Sequence, residues 1–199
     1  MSEIIVKTYF KPPIKTNEIL RYSGGNPDNE QFGKILNECL NEVENKFTYK
    51  VCYSLLPISF LSDYIDLSFT KTSSLDLRKN LINCDKVIVF AATIGFEIDR
   101  LIIKYSRISP IKSLIFQSIG AERIESLCDA FCADLIKEYK MNSEKLKPRF
   151  SPGYGDLPLE IQSDIFKYLD CYKKIGLSLN ESLLMAPSKS VTAFIGVYK

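Results

Sequence analysis

The 199-residue chain contains no histidine. That absence excludes a Ser-His-Asp or Cys-His catalytic pair, a His-based zinc site and a histidine ligand to cobalt or haem iron supplied by this chain. It also removes the commonest general acid and base, so the metal in any metal or cofactor chemistry is expected to be carried by another protein. Long apolar runs are missing as well. The longest, Val87 to Thr93, reads as a buried strand and falls far short of a bilayer span, so no membrane partner is expected. The start, Met1-Ser2-Glu3-Ile4, lacks the charged-then-apolar layout of a secretory signal. No C-x-x-C pair, G-x-G-x-x-G fingerprint or G-x-x-x-x-G-K-[ST] loop occurs, which leaves the usual nucleotide-binding routes unsupported. Charge of one sign is not in excess either. A formal net charge of +2 with dispersed lysines gives no electrostatic case for nucleic acid.

What is present describes an ordinary globular chain. Apolar residues make up 46% and charged residues 25%, enough to build a core. The length favours one domain over residues 1–199. Six cysteines, Cys39, Cys52, Cys84, Cys128, Cys132 and Cys171, are scattered through predicted core elements. They read as reduced core thiols in a cytoplasmic protein rather than a disulfide framework.

Periodicity places the elements. Strands are predicted over 4–10, 49–56, 64–69 and 86–93, and strand-like segments over 182–185 and 191–197. Helices are predicted over 16–22, 29–46, 75–81, 97–105, 111–141 and 159–169, with Ser73 and Ser74 as capping candidates for the third. Residues 142–147 read as a polar linker. Strands and helices alternate irregularly, and some neighbouring strands have no helix between them. That pattern predicts an α+β fold with a twisted, mainly antiparallel sheet packed with long helices.

Four regions carry chemistry worth weighing. Arg149-Phe150-Ser151-Pro152-Gly153-Tyr154-Gly155-Asp156 holds an arginine, a Pro-Gly turn and a glycine-flanked tyrosine. Ser151 to Tyr154 suits a type II turn, with Gly153 taking the positive φ. Such a turn is expected to leave backbone N–H groups unpaired and to let a ligand approach the two glycines. Arg149 offers a fork for a carboxylate and Tyr154 a flat face for a ring; an ordinary Pro/Gly loop is the plainer reading. Glu122, Glu125 and Asp129 form an acidic stripe on one helix face, which also reads as a solvated face. Cys128 and Cys132, one turn apart, read as core packing before a soft-metal site. Ala186-Pro187-Ser188-Lys189-Ser190 either hydrogen-bonds a ligand through Ser188 and Ser190 or merely turns the chain.

The Arg149–Asp156 stretch, followed by Met185-Ala186-Pro187-Ser188-Lys189-Ser190-Val191, resembles the activation (reactivation) domain of vitamin B12-dependent methionine synthase. The resemblance is closer to the short stand-alone bacterial proteins of that family. Ile19-Leu20-Arg21-Tyr22-Ser23-Gly24, Ala91-Ala92-Thr93-Ile94-Gly95 and Ile119-Gly120 leading into Ile124-Glu125-Ser126-Leu127 match in family order. The resemblance implies a shallow groove for S-adenosylmethionine, whose methyl group is presented to a cobalamin carried by a separate corrinoid protein. One electron, from flavodoxin or another reductant, completes the repair of oxidised cob(II)alamin. It further implies that Arg149 pairs with the methionyl carboxylate and that backbone groups around Ser151, Pro152 and Gly153 hold the amino-acid and ribose parts. Tyr154 is implied to lie against the adenosine, and Asp129 to meet the ammonium group, leaving Glu122 and Glu125 as surface residues. No catalytic residue and no metal ligand is implied, since positioning is the main contribution. Two departures stand out. Asp129 is one methylene shorter than the family glutamate, and the multidomain enzymes continue past the point matching Lys199 with a segment supplying a further tyrosine. The readings that follow are a reactivation subunit working in trans, a corrinoid-protein docking partner that does not use S-adenosylmethionine, and, less supported, an independent methyltransferase.

Overall fold

The run Lys86–Thr93 is the central strand that its composition suggests. Ile88, Phe90 and Ala92 enter one hydrophobic core while Val87, Val89 and Ala91 enter another, because successive side chains of a strand point to opposite faces. A strand buried on both faces needs apolar residues at every position, which is why this one reads as continuous rather than alternating.

The computed structural model describes residues 2–199. In chain order the elements are β1 (Ile5–Tyr9), α1 (Thr16–Ser23), α2 (Glu30–Glu42), β2 (Tyr49–Pro57), β3 (Ser59–Phe60), β4 (Ile65–Asp66), β5 (Lys71–Thr72) and α3 (Leu75–Asn80), then β6 (Lys86–Thr93), α4 (Glu97–Ile108) and α5 (Pro110–Met141). They continue with β7 (Lys145–Leu146), α6 (Ile161–Leu169), α7 (Cys171–Ile175), β8 (Ser178–Leu179), β9 (Met185–Ala186) and β10 (Ser190–Tyr198). Five strands form the main sheet in the order β1-β2-β6-β10-β7, and two small sheets, β3-β4-β5 and β8-β9, stand apart. Every strand pairing is antiparallel, so the α+β, antiparallel expectation holds.

One face of the main sheet packs against α1, α2, α4 and α5, through residues such as Ile19, Leu36, Ile98 and Phe131. The other face packs against α3, α6 and α7, through Leu77, Ile165 and Cys171. α5 dominates the first layer: 32 residues span about 48 Å at the usual rise. Pro110 opens it, where a missing N–H costs nothing.

The structure corrects several boundaries. α2 ends at Glu42 rather than Lys46, because Val43 caps it and Asn45 takes a left-handed φ of 63°. The strand expected over 64–69 shortens to Ile65–Asp66, since Asp66 accepts the Ser68 N–H and Ser68 turns the chain at φ 71°. The strand expected over 182–185 is a turn. Asn180 Oδ1 accepts the N–H groups of Ser182 and Leu184, the side-chain turn that asparagine favours, and the strand begins only at Met185. The polar linker 142–147 contains β7, which pairs with the end of β10. Ser74, not Ser73, caps α3 by accepting the Leu77 N–H at 3.0 Å.

The segment between β1 and α1 is held by a buried charge. Arg123 on α5 is only 1% exposed. Its Nη1 donates to the Pro12 carbonyl at 2.6 Å and its Nη2 to the Pro13 carbonyl at 2.7 Å. Nε and Nη2 both reach the carboxylate of Glu122, which is equally buried. Glu122 Oε1 also accepts the Lys15 backbone N–H at 3.1 Å and the Ser126 hydroxyl at 2.6 Å. Burial by itself lowers the Arg123 pKa, but hydrogen bonds and attraction from Glu122 outweigh it and the net shift is upward. Removing one member of such a pair strands the other charge in the interior. Arg123→Met is therefore expected to lower the unfolding free energy by about 3–5 kcal/mol, with Glu122→Met in the same chain recovering part of the loss. Urea denaturation measures both, and a single-variant loss below about 1 kcal/mol, the worth of an ordinary hydrogen bond, would mean that the strap is held otherwise.

Candidate functional site

Arg149 stands between β7 and an isolated rung in which Phe150 and Phe194 exchange hydrogen bonds at 2.9 and 2.8 Å. The rung fixes the strand-like alternation, so Phe150 packs against the α6-side core while Arg149 turns to α5. There its Nη2 donates to Glu125 Oε2 at 3.1 Å and to Asp129 Oδ1 at 3.2 Å. Asp129 Oδ2 in turn accepts from Lys15 Nζ at 2.8 Å. Two cations and two carboxylates thus alternate along the α5 surface. Burial by itself lowers the Arg149 pKa; Cys128, Glu125 and Cys132 around it reverse that, and the net shift is upward.

Two pockets meet at Asp129. One, of about 280 Å³, is polar and walled by Lys15, Glu18, Tyr22, Glu125 and Ser126. The other, of about 320 Å³, is lined by Arg149 together with Ile136, Leu146, Pro148 and Ile195. An amino-acid zwitterion needs one cation and one anion at charge-assisted distance, and the cluster holds both.

The acidic stripe is not uniform. Asp129 and Glu125 face the cluster, but Glu122 is buried in the Arg123 pair, so its expected surface position is overturned. Glu125 is engaged by Arg149 rather than simply solvated. Cys128 is buried and its pKa is pushed up to about 12, chiefly by that burial. It is packed among the α5-side core residues, the role its spacing suggests first. All six cysteines are unpaired. Among the described residues no group of three or more His, Cys, Asp or Glu side chains gathers to hold a metal, and no helix is long and apolar enough to cross a membrane.

The turn forms as its residues require. Gly153 has φ +88°, and the Tyr154 N–H donates to the Ser151 carbonyl at 3.1 Å. The expectation of unpaired N–H groups fails at these two positions. Gly153 N–H donates to the Leu157 carbonyl at 2.9 Å, and Leu157 N–H returns to the Tyr154 carbonyl at 3.0 Å. Gly155 admits the protein itself rather than a ligand: at φ +53°, a Cβ there would lie 2.4 Å from Asp76 Oδ2. Pro152 is buried and Ser151 half-buried. Tyr154 remains 64% exposed, its ring edge-on to Phe150 at 6.4 Å and outside both pockets.

Ser188 and Ser190 are not gathered with Arg149. Ser188 donates through N–H and hydroxyl to Asp99 on α4, and buried Ser190 bonds Thr93 Oγ1 at 2.8 Å and the Pro187 carbonyl at 2.9 Å. Both hydroxyls serve the chain. Lys15 was not legible as a site residue, because its partner lies 114 positions away and no spacing rule reaches that far.

No family description and no curated protein matches the sequence. The fold, however, has a solved counterpart. The crystal structure of the MetH reactivation domain bound to AdoHcy matches with a TM-score of 0.66 at 16% identity, covering 98% of this chain and 78% of that one. At that identity the likeness is one of fold.

Asp156 anchors the turn to the sheet's far side by accepting the Ser74 hydroxyl and the N–H groups of Leu75 and Asp76, the last two at 2.7 and 3.1 Å. The Ser74 bond first, then the Leu75 N–H, hold its carboxyl below the usual aspartate range. A depressed folded pKa gives stability that is fully present above the unfolded value of about 3.9 and is lost as pH falls through the folded one. Asp156→Asn should therefore lower the thermal midpoint at pH 7, and the gap to the parent should begin to narrow below about pH 3.9 and vanish only under the lower folded pKa. A gap that persists unchanged in acid would show that the carboxylate charge is not what ties the turn down.

Proposed function

We propose that this chain binds S-adenosylmethionine at the Asp129–Arg149 cluster and serves the reductive remethylation of cob(II)alamin on a corrinoid protein, cobalamin-dependent methionine synthase being the leading candidate. The observation that carries the reading is a fold likeness over 98% of the chain to a domain solved with AdoHcy, together with a cluster whose charges suit an amino-acid zwitterion. Arg149 holds the ligand's carboxylate by a two-pronged contact. Asp129 and Glu125, one turn apart on α5, receive its ammonium group. Tyr154, exposed at the end of the turn, is assigned the adenosine ring, and Ser151 with the backbone around Pro152 and Gly153 the amino-acid and ribose parts.

When bound, S-adenosylmethionine supplies an activated methyl group. The acceptor is the partner's cobalamin, and a flavodoxin-type or other reductant adds one electron. No proton moves to or from a protein side chain, so the chain provides no general acid, base or nucleophile and acts by positioning. Residues 1–199 work as one domain in the cytoplasm, acting in trans; the main sheet that joins β1 to β10 supports the single-domain reading.

Calorimetric titration tests the ligand. The parent protein should bind S-adenosylmethionine, and Arg149→Ala should bind about ten- to hundredfold more weakly, the worth of a charged hydrogen bond. Absent binding, or equal affinity in the variant, sinks the site assignment and leaves the docking role without S-adenosylmethionine. The partner role is read separately: a cob(II)alamin-loaded methionine synthase that lacks its own reactivation domain, given reductant, should form methylcobalamin, followed by its visible spectrum, only when this protein and S-adenosylmethionine are both present.

A further inference from the structure

The Lys15 ammonium lies 2.8 Å from Asp129 Oδ2, on the carboxylate that the proposed ligand's own ammonium needs. We propose that Lys15 is an internal competitor for Asp129 and thereby a determinant of affinity for ligands that carry an α-ammonium group. The proposal rests on the S-adenosylmethionine reading of this site and adds a residue that nothing else assigns to it.

The backbone at Lys15 is fixed before its side chain takes any part. Its N–H donates to buried Glu122, and its carbonyl accepts the N–H groups of Glu18 and Ile19 at 2.9 and 3.3 Å, opening α1. Only the side chain is free to choose a partner. It reaches Asp129 from the polar pocket, while Arg149 reaches the other oxygen of the same carboxylate from the apolar one. Both oxygens of Asp129 are thus occupied by the protein's own cations. Glu125 has a single cation, Arg149.

Lys15 and Asp129 are each about half exposed, at 53% and 51% of their side chains. An exposed pair of this kind is weak and readily exchanged. A ligand ammonium entering the cluster replaces the Lys15 ammonium on Asp129 Oδ2, and the lysine swings into water. The exchange is cheap but not free, so it subtracts a small amount from the affinity.

The test uses the full chain with Lys15→Met, which keeps the backbone bonds and most of the side-chain length. Titrated with S-adenosylmethionine, this variant should bind about two- to fivefold more tightly than the parent, the range expected for one exposed ion pair, while Lys15→Arg should match the parent. 5′-Methylthioadenosine, which lacks the amino-acid end, should show no such gain. Equal or weaker binding of S-adenosylmethionine by Lys15→Met overturns the competition, as does a gain shared by 5′-methylthioadenosine. Binding by the variant alone supports it. Failure of both proteins to bind S-adenosylmethionine is a different result and overturns the ligand reading itself.

Discussion

A guanidinium withdrawn from water and surrounded by acceptors sets the geometry of this molecule. Arg123 is the largest fully buried side chain, and it survives there because a carboxylate and two proline carbonyls use its planar fork. Proline carbonyls are well suited to the task. Neither residue has an N–H to pair in a sheet or helix, so the strand β1 stops and the carbonyls are left facing α5. The cost of burying two charges is accepted in exchange for a fixed path between the sheet edge and α1. Lys15, α1 and the polar pocket all inherit their position from that path.

The second support comes from the opposite side of the sheet. Asp156 binds the start of α3, and Phe150 forms a rung with β10. Between them the Pro-Gly turn has few alternatives. Arg149 and Tyr154 therefore belong to one segment tied at both ends, with the guanidinium delivered to one layer of helices and the phenol left at the sheet's rim. Both hydrophobic cores thus bear on the same few charged atoms.

The parts of this arrangement that the sequence makes legible are those decided locally. β6 and α5 follow from unbroken apolar content and helical spacing, the positive φ of Gly153 from a Pro-Gly pair, and a serine cap on α3 from Ser73-Ser74 before Leu75, though not which of the two serines it is. What stays hidden is decided by distant partners. β7, β8 and β9 are two residues each, and nothing in Lys145-Leu146 signals a strand until Val197 and Tyr198 lie beside it. Helical spacing puts Glu122 with Glu125 and Asp129, yet the donors Arg123, Ser126 and the Lys15 N–H make it interior. The same applies to Gly155. A missing Cβ invites a close neighbour, and spacing cannot say that the neighbour is Asp76.

The Lys15–Asp129 contact joins positions 114 apart in the chain, with Arg149 closing the group from a third segment. No short fragment contains these atoms together, so the assembled cluster exists only in the native ensemble. Whatever molecule occupies it draws on the folding equilibrium as a whole: occupancy adds RT ln(1 + [L]/Kd) to the stability of every element that unfolds cooperatively with the site. A bound ligand would thereby hold the entire polypeptide against unfolding, not only the few side chains it touches.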